Sequence, residues 1–211
     1  MSEEVLVQLD AATVGPFAVE WAKKMVPCDT GDEKFKFIAK DFGGKGTTCG
    51  FLPHALMYVL GCRDPKIVNR TEPGLKYIPG WNLRQIWNAG RPPFKRFSLG
   101  TTPEPGDIVY ISNGPPNTEH VFLFLGAVNE GGVTYWFSAD GGQRNAKNQE
   151  CMKLAKRKQS GRLIGSRAIM GWLPLKSLKL TAPALVDVNF LAEGLSDFEV
   201  DAPFSVEEDA T

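Results

Sequence analysis

The chain has 211 residues, which is enough for one domain with a buried core. Its hydrophobic content of 43% and charged content of 23% are typical of a globular protein. Basic and acidic residues balance at 24 each, so bulk charge does not favour nucleic acid or a membrane surface as a partner. The longest apolar runs, such as Val121 to Val128, are too short to form a transmembrane segment.

The cysteine and histidine content argues against a metal or a disulfide framework. No Cys-x-x-Cys or His-x-x-x-His spacing occurs, and only two histidines are present. We therefore predict no structural zinc, no other metal and no cofactor. The four cysteines are Cys28, Cys49, Cys62 and Cys151.

Helices are predicted in the first half of the chain. The clearest one carries apolar residues at helical spacing and a glycine stop: Leu52, Ala55, Leu56, Val59, Leu60 and then Gly61. Pro53 is tolerated only near a helix start, which places that start close to Cys49 or Gly50. The other predicted helices cover Pro16 to Val26, Asp32 to Lys40 and Asn82 to Ala89.

Strands are predicted after residue 91. They cover Asp107 to Ser112, His120 to Gly126, Val133 to Ala139 and Ile164 to Leu175. Helices followed by a run of strands indicate an α+β fold with an antiparallel sheet. We expect one domain over residues 1–180 and an acidic C-terminal extension over residues 181–211.

Two late segments carry opposite charge. Residues 144–167 hold eight basic residues against one acid, and residues 181–211 hold eight acids without Lys or Arg. The simpler interpretation is a solvated loop followed by a partly disordered tail. The alternative is that the basic segment attracts an anionic substrate while the tail folds back on it. No aromatic residue lies within the basic segment, which argues against a nucleic-acid partner.

Cys49 is a candidate nucleophile because of its position. It follows a glycine-rich loop and stands where the third helix begins. The positive end of a helix macrodipole favours the thiolate, which is the reactive form of cysteine.

A cysteine nucleophile needs a base, and histidine suits that role near neutral pH. His54 lies five residues beyond Cys49 on the same helix, rotated by about 140°, and cannot reach it. His120 begins a strand and is the better candidate. Its imidazole needs a polar partner, for which Asp140 is the first choice, with Ser138 and Gln143 as alternatives.

Taken together, these segments resemble the papain-like cell-wall cysteine peptidases and amidases of the NlpC and CHAP type. The resemblance covers roughly residues 15–175. The blocks that carry it are Gly43-Gly44, Thr48-Cys49-Gly50-Phe51, Pro105-Gly106-Asp107, His120-Val121 through Leu125-Gly126, and Phe137-Ser138-Ala139-Asp140.

The resemblance implies that residues 1–180 form a papain-like cysteine hydrolase domain, with N-terminal helices packed on a central antiparallel sheet. It also implies hydrolysis of an amide bond in peptidoglycan stem peptides through a thioester. Cys49 would be the nucleophile, His120 the general base and acid, and Asp140 the orienting residue. The backbone N–H of Cys49 would be one oxyanion donor. Gly50 and Phe42 replace polar residues of the family, so the second donor is unassigned.

No basic and apolar leader is visible at the N-terminus, so we expect synthesis in the cytoplasm without a signal peptide. Action in the periplasm or cell wall would then follow non-classical delivery, as for a lysin or a secreted antibacterial effector. Secretion machinery or an immunity protein would be partners in that case. The alternatives are a papain-like acyltransferase, a peptidase with an intracellular protein substrate, and a non-catalytic binding module.

Overall fold

The structure is a computed structural model of the chain. It describes residues 14–36, 48–62, 93–113, 119–178, 180 and 205–206. The predicted helix from Asn82 to Ala89 lies outside the described residues. So do the glycine-rich residues 42–47 and most of the acidic extension.

The described helices lie in the N-terminal part of the chain. They are α1 (Val14–Met25), α2 (Glu33–Lys36) and α3 (Phe51–Val59). A 3-10 turn, Thr48–Gly50, leads directly into α3, so the prediction of a helix start close to Cys49 is confirmed. None of the helices in the described part of the chain combines the length and apolarity needed to cross a bilayer.

The described residues form a single sheet of nine strands, and His120 and Asp140 lie on two of them. Its strands are β1 (Cys28–Asp29), β2 (Lys95–Arg96), β3 (Ile108–Ser112), β4 (His120–Glu130), β5 (Val133–Arg144), β6 (Glu150–Ser160), β7 (Leu163–Ile164), β8 (Arg167–Leu173) and β9 (Ser205–Val206).

The order of the sheet is β1-β6-β5-β4-β3-β8-β2, with β7 beside β6 and β8, and β9 beside β6. Every pairing is antiparallel except that of β9 with β6. The protein is therefore α+β with a mostly antiparallel sheet, as the order of helices and strands predicts.

The expectation of a solvated loop over residues 144–167 is wrong, because Glu150–Ser160 forms the long strand β6 between β5 and β1. Met152, Leu154 and Ala155 are buried there. The surrounding lysines and arginines conceal this apolar content in the sequence. Long basic side chains can lie along a sheet with their charged ends in water, so a high positive charge does not exclude a strand.

The strands predicted at the positions of β4 and β5 are too short, and the last predicted strand is too long. β4 continues beyond Gly126 through a register shift at that residue, and β5 runs on to Arg144. The segment predicted as one strand from Ile164 to Leu175 begins at the last residue of β7. It continues through a turn at Gly165 with φ of 55° and through β8, and it ends at the first residue of a 3-10 turn, Leu175–Ser177.

Apolar side chains cover both faces of the sheet, because residues on a strand alternate between them. One cluster joins α1 and α3 to one face and includes Trp21, Leu52, Leu56, Ile108, Tyr110, Val121 and Leu123. The other cluster consists of Phe97, Val109, Ile111, Phe122, Phe124, Trp136, Ile164, Ile169 and Trp172.

The buried carboxylate of Asp107 connects the turn before β3 to Leu175, which follows β8. One oxygen accepts the backbone N–H of Glu104 at 2.9 Å, and the other accepts that of Leu175 at 3.1 Å. Burial raises the pKa of Asp107 to about 6, although both hydrogen bonds act in the opposite direction. Gly106 in this turn has φ of 94°, and a Cβ there would lie 3.0 Å from that of Ala18 on α1. The turn therefore packs closely on α1.

We predict that Gly171→Ala destabilises the protein by about 2 kcal/mol or more relative to Gly126→Ala. A Cβ at Gly171 would lie 2.1 Å from the backbone oxygen of Lys95, so β2 would have to move away from β8. Gly126 is the matched control because its φ of 154° is close to the 151° of Gly171, while a Cβ there meets nothing within 4 Å. Urea unfolding of the two variants would measure the difference, and equal midpoints with equal slopes would contradict the prediction.

Candidate active site

Cys49 lies in the 3-10 turn at the start of α3. This turn packs against β4 and β5, and only 7% of the Cys49 surface is exposed. The partial positive charge at the start of a helix favours a thiolate at this place. The thiol is thus held against the two central strands that carry the other site residues.

His120 is the first residue of β4 and contacts two of the predicted site residues. Its Nε2–H donates to Oδ1 of Asp140 at 2.5 Å. The ring is also hydrogen-bonded to the Cys49 side chain. Because Asp140 occupies Nε2, the nitrogen that remains for the sulfur is Nδ1. A thiol, an imidazole and a carboxylate are therefore connected in series.

The sheet register explains why His120 and Asp140 meet. Phe124 on β4 pairs with Ser138 on β5. Side chains alternate along a strand, so His120 and Asp140 fall on the same face of the sheet as that pair. A register shift follows Asp140 on β5 and separates it from Gln143.

Asp140 is fully buried, and both of its oxygens accept hydrogen bonds. Oδ1 accepts from His120, while Oδ2 accepts the Ser138 hydroxyl at 2.6 Å and Nη1 of Arg157 at 2.9 Å. The same Nη1 donates to Oγ of Ser138 at 2.5 Å. The carboxylate therefore cannot rotate without breaking several bonds at once.

The charges of these groups stabilise one another. Burial alone would raise the pKa of Asp140, but the guanidinium of Arg157 and the hydrogen bond and charge of His120 hold it well below its ordinary range. Burial alone would lower the pKa of His120, but its hydrogen bonds and charge interactions with Asp140 and Cys49 raise it to about 8. The imidazole is thus mostly protonated at neutral pH.

The structure brings Cys49, His120 and Asp140 together in the order that the sequence predicts. Ser138, an alternative partner for His120, instead hydrogen-bonds to Asp140. Gln143, the other alternative, lies beyond the register shift, while Nε2 of His120 is occupied by Asp140. His54 is half-buried on α3.

Arg157 is the site residue that sequence reasoning missed. It lies on β6, pairs with Trp136 in the register and is 8% exposed. Lys156 and Lys158 flank it in the sequence, so a charge pattern cannot tell which of the three points inward. The available signal was the apolar content of residues 151–155 in β6, which the basic residues concealed.

Two other cysteines differ from Cys49 in their electrostatic surroundings. Burial, followed by the charge of Asp32, raises the pKa of Cys28 to about 12. Burial also raises the pKa of Cys151. Both thiols are therefore protonated and poorly reactive at neutral pH.

Comparisons with known proteins add no relative: no protein-family model, no curated protein and no solved structure matches the chain. Functional inference accordingly rests on the geometry of the site and on the sequence motifs that surround it.

We predict that Asp140→Asn lowers the pKa of His120 by about one unit or more from its value of about 8, because the imidazolium loses its negative partner. Proton NMR of the imidazole C–H groups would measure this directly. The chain has only two histidines, and a His54→Gln variant would identify the His120 signal.

Ser138→Ala is the matched control, since it removes a hydrogen bond to Asp140 but keeps the negative charge. We expect it to change the pKa of His120 by less than about half a unit. Equal titration curves for the native protein and Asp140→Asn would contradict this view of the electrostatics.

Proposed function

We propose that the protein is a cysteine amidohydrolase or endopeptidase with a papain-like arrangement of helix and sheet. The observation that carries this proposal is the Cys49 thiol hydrogen-bonded to the His120 imidazole, whose second nitrogen donates to the buried carboxylate of Asp140. A nucleophile, a base within hydrogen-bond reach and a group that orients the base are the arrangement required for covalent catalysis.

In the proposed reaction Cys49 and His120 share one proton, which rests on the imidazole, and the thiolate attacks the carbonyl carbon of an amide. Asp140 and Cys49 raise the pKa of His120 to about 8, which favours the imidazolium member of this pair at neutral pH. Collapse of the tetrahedral intermediate breaks the C–N bond, and the imidazolium gives its proton to the leaving amine. A thioester on Cys49 and a free amine result.

Hydrolysis of the thioester uses the same groups a second time. His120, now neutral, takes a proton from a water molecule, and the hydroxide attacks the thioester carbonyl. The bond to sulfur breaks, a carboxylic acid leaves and the thiolate–imidazolium pair forms again. The backbone N–H of Cys49, at the start of α3, is the proposed donor to the oxyanion in both halves of the reaction.

Asp140 has the role of orienting His120. In a Ser-His-Asp triad the aspartate binds Nδ1, and Nε2 faces the nucleophile. Here the two nitrogens are exchanged, because Asp140 binds Nε2. The carboxylate thereby leaves Nδ1 available to Cys49 and stabilises the imidazolium.

Peptidoglycan stem peptides are the proposed substrate. The support for this class is the resemblance to NlpC and CHAP peptidases, together with the grouping of the residues that match their motifs. The turn at Gly106 packs on α1, and the motif residues Cys49, His120 and Asp140 contact one another in series. Delivery to the cell wall by a secretion machine or by phage lysis belongs to the same proposal.

We predict that Cys49→Ala abolishes the release of peptides from purified peptidoglycan, because Cys49 carries the thiol that is hydrogen-bonded to His120. Cys28→Ala is the control and should retain activity, since Cys28 lies on β1 with a protonated thiol. Mass spectrometry of the products would identify the bond that is cleaved. It would also distinguish hydrolysis from acyl transfer, because the two reactions leave products of different mass.

Full lytic activity in Cys49→Ala would disprove the proposed mechanism. Loss of activity in both variants would point to destabilisation instead, and circular dichroism would test that outcome.

A further inference from the structure

Arg157 differs from the other described basic residues in its burial and in its contacts. Among the described residues, Arg157 is the only Lys or Arg that is classed as buried. Its neighbours Lys156 and Lys158 are half-buried and exposed, and Lys156 forms an ion pair with Glu130 at 2.6 Å. Removing a guanidinium from water is unfavourable unless a partner compensates it, so the contacts of Arg157 indicate its role.

Those contacts converge on Asp140. Nη1 of Arg157 donates to Oδ2 of Asp140 at 2.9 Å and to Oγ of Ser138 at 2.5 Å, and Ser138 in turn donates to the same Oδ2. With Oδ2 occupied in this way, Oδ1 is the oxygen presented to His120. Arg157 therefore determines the orientation of the carboxylate.

The aromatic ring of Phe122 lies close to both Arg157 and His120. The guanidinium carbon of Arg157 lies 5.5 Å from the centre of the Phe122 ring, and that ring lies 6.1 Å from the ring of His120. One aromatic side chain thus contacts both cations of the site. A cation over an aromatic face is attracted to it, which holds the guanidinium in place.

The site then consists of four groups in a row with alternating charge. In the reactive state these are the thiolate of Cys49, the imidazolium of His120, the carboxylate of Asp140 and the guanidinium of Arg157. The total charge is zero, which is the condition under which buried charges can be accommodated. Without Arg157 the same row would carry a net negative charge.

We infer that Arg157 is a positioning residue that keeps Asp140 ionised and aimed at His120, and thereby sets the pH range in which the Cys49–His120 pair is reactive. This inference rests on the proposed function, because it assigns to Arg157 an effect on the same reaction. A merely structural ion pair would stabilise the fold but would leave that pH range unchanged.

The direction of the effect follows from the charge that is removed. Without the guanidinium, every proton in the row is harder to remove, whichever group holds it. The thiolate–imidazolium pair would then form from the thiol and imidazolium at higher pH. The imidazolium of the pair would also lose its proton at higher pH. Both limbs of the pH–rate profile move in the same direction.

Other charged or titratable groups on the neighbouring elements could contribute to this effect. They are Lys153, which pairs with Asp140 in the register of β5 and β6, Glu119, which precedes β4, and His54 on α3. Lys153 is half-buried on the same strand as Arg157. Replacing Lys153 therefore tests whether any nearby cation has the effect of Arg157.

The experiment compares Arg157→Met, Arg157→Lys and Lys153→Met with the native protein. The rate of Cys49 alkylation by iodoacetamide is measured against pH without substrate, and kcat/KM on purified peptidoglycan is measured against pH in parallel. For Arg157→Met we expect both limbs to move upward by about one pH unit, with alkylation about tenfold slower on the acid side. Arg157→Lys and Lys153→Met should leave the limbs within about 0.3 unit of the native position.

If Arg157→Met does not fold, Arg157→Gln provides the same test, since it keeps an N–H donor and lacks the charge. Unchanged limbs in Arg157→Met or Arg157→Gln would overturn the inference, even if the variants melt at lower temperature. An equal shift in Lys153→Met would overturn it as well.

The two proposals fail in different ways. An unchanged profile beside normal peptide release would remove the role of Arg157 and leave the proposed function intact. The absence of peptide release from the native protein, with a shifted alkylation profile in Arg157→Met, would remove the substrate assignment and leave the electrostatic role of Arg157.

Discussion

The carboxylate of Asp140 is fully buried, and the geometry of the site depends on how its charge is compensated. An isolated carboxylate in a protein interior would take up a proton or prevent folding. Here the hydroxyl of Ser138, the guanidinium of Arg157 and the imidazole of His120 all donate to it. Because Ser138 and Arg157 hold Oδ2 while Oδ1 accepts from His120, the position of the carboxylate fixes that of the imidazole.

The antiparallel sheet positions most of these side chains on regular strands. His120, Asp140 and Arg157 come from the adjacent strands β4, β5 and β6, where the register and the alternation of side chains place them on one face. Cys49 comes from the turn before α3, which packs against β4 and β5. Sites on strands and helix ends are more rigid than sites on loops, which suits a mechanism that needs a fixed thiol–imidazole contact.

Much of this could be predicted from the sequence because the relevant signals are local. The apolar spacing from Leu52 to Leu60 and the position of Pro53 indicated the start of α3. Alternation on the strand containing Ser138 indicated that Ser138 and Asp140 share a face. Even the contact between His120 and Asp140 followed from placing both on neighbouring strands.

The position of β6, the direction of Arg157 and the ends of β4 and β5 depend on tertiary contacts that a local sequence pattern does not predict. β6 lies between β5 and β1 in the sheet, but its basic residues made it resemble a solvated loop. The inward direction of Arg157 depends on its pairing with Trp136, which no local rule predicts. Similarly, the ends of β4 and β5 depend on register shifts at Gly126 and after Asp140.

The proposed mechanism requires Cys49 to form a covalent acyl intermediate with an amide substrate. The most direct measurement is intact-protein mass spectrometry after brief incubation with purified peptidoglycan and quenching in acid, followed by peptide mapping. We expect a mass increase equal to a stem-peptide acyl group, located on Cys49 and labile to hydroxylamine as a thioester. Peptide release without any adduct on Cys49, or with the adduct on another residue, would contradict it.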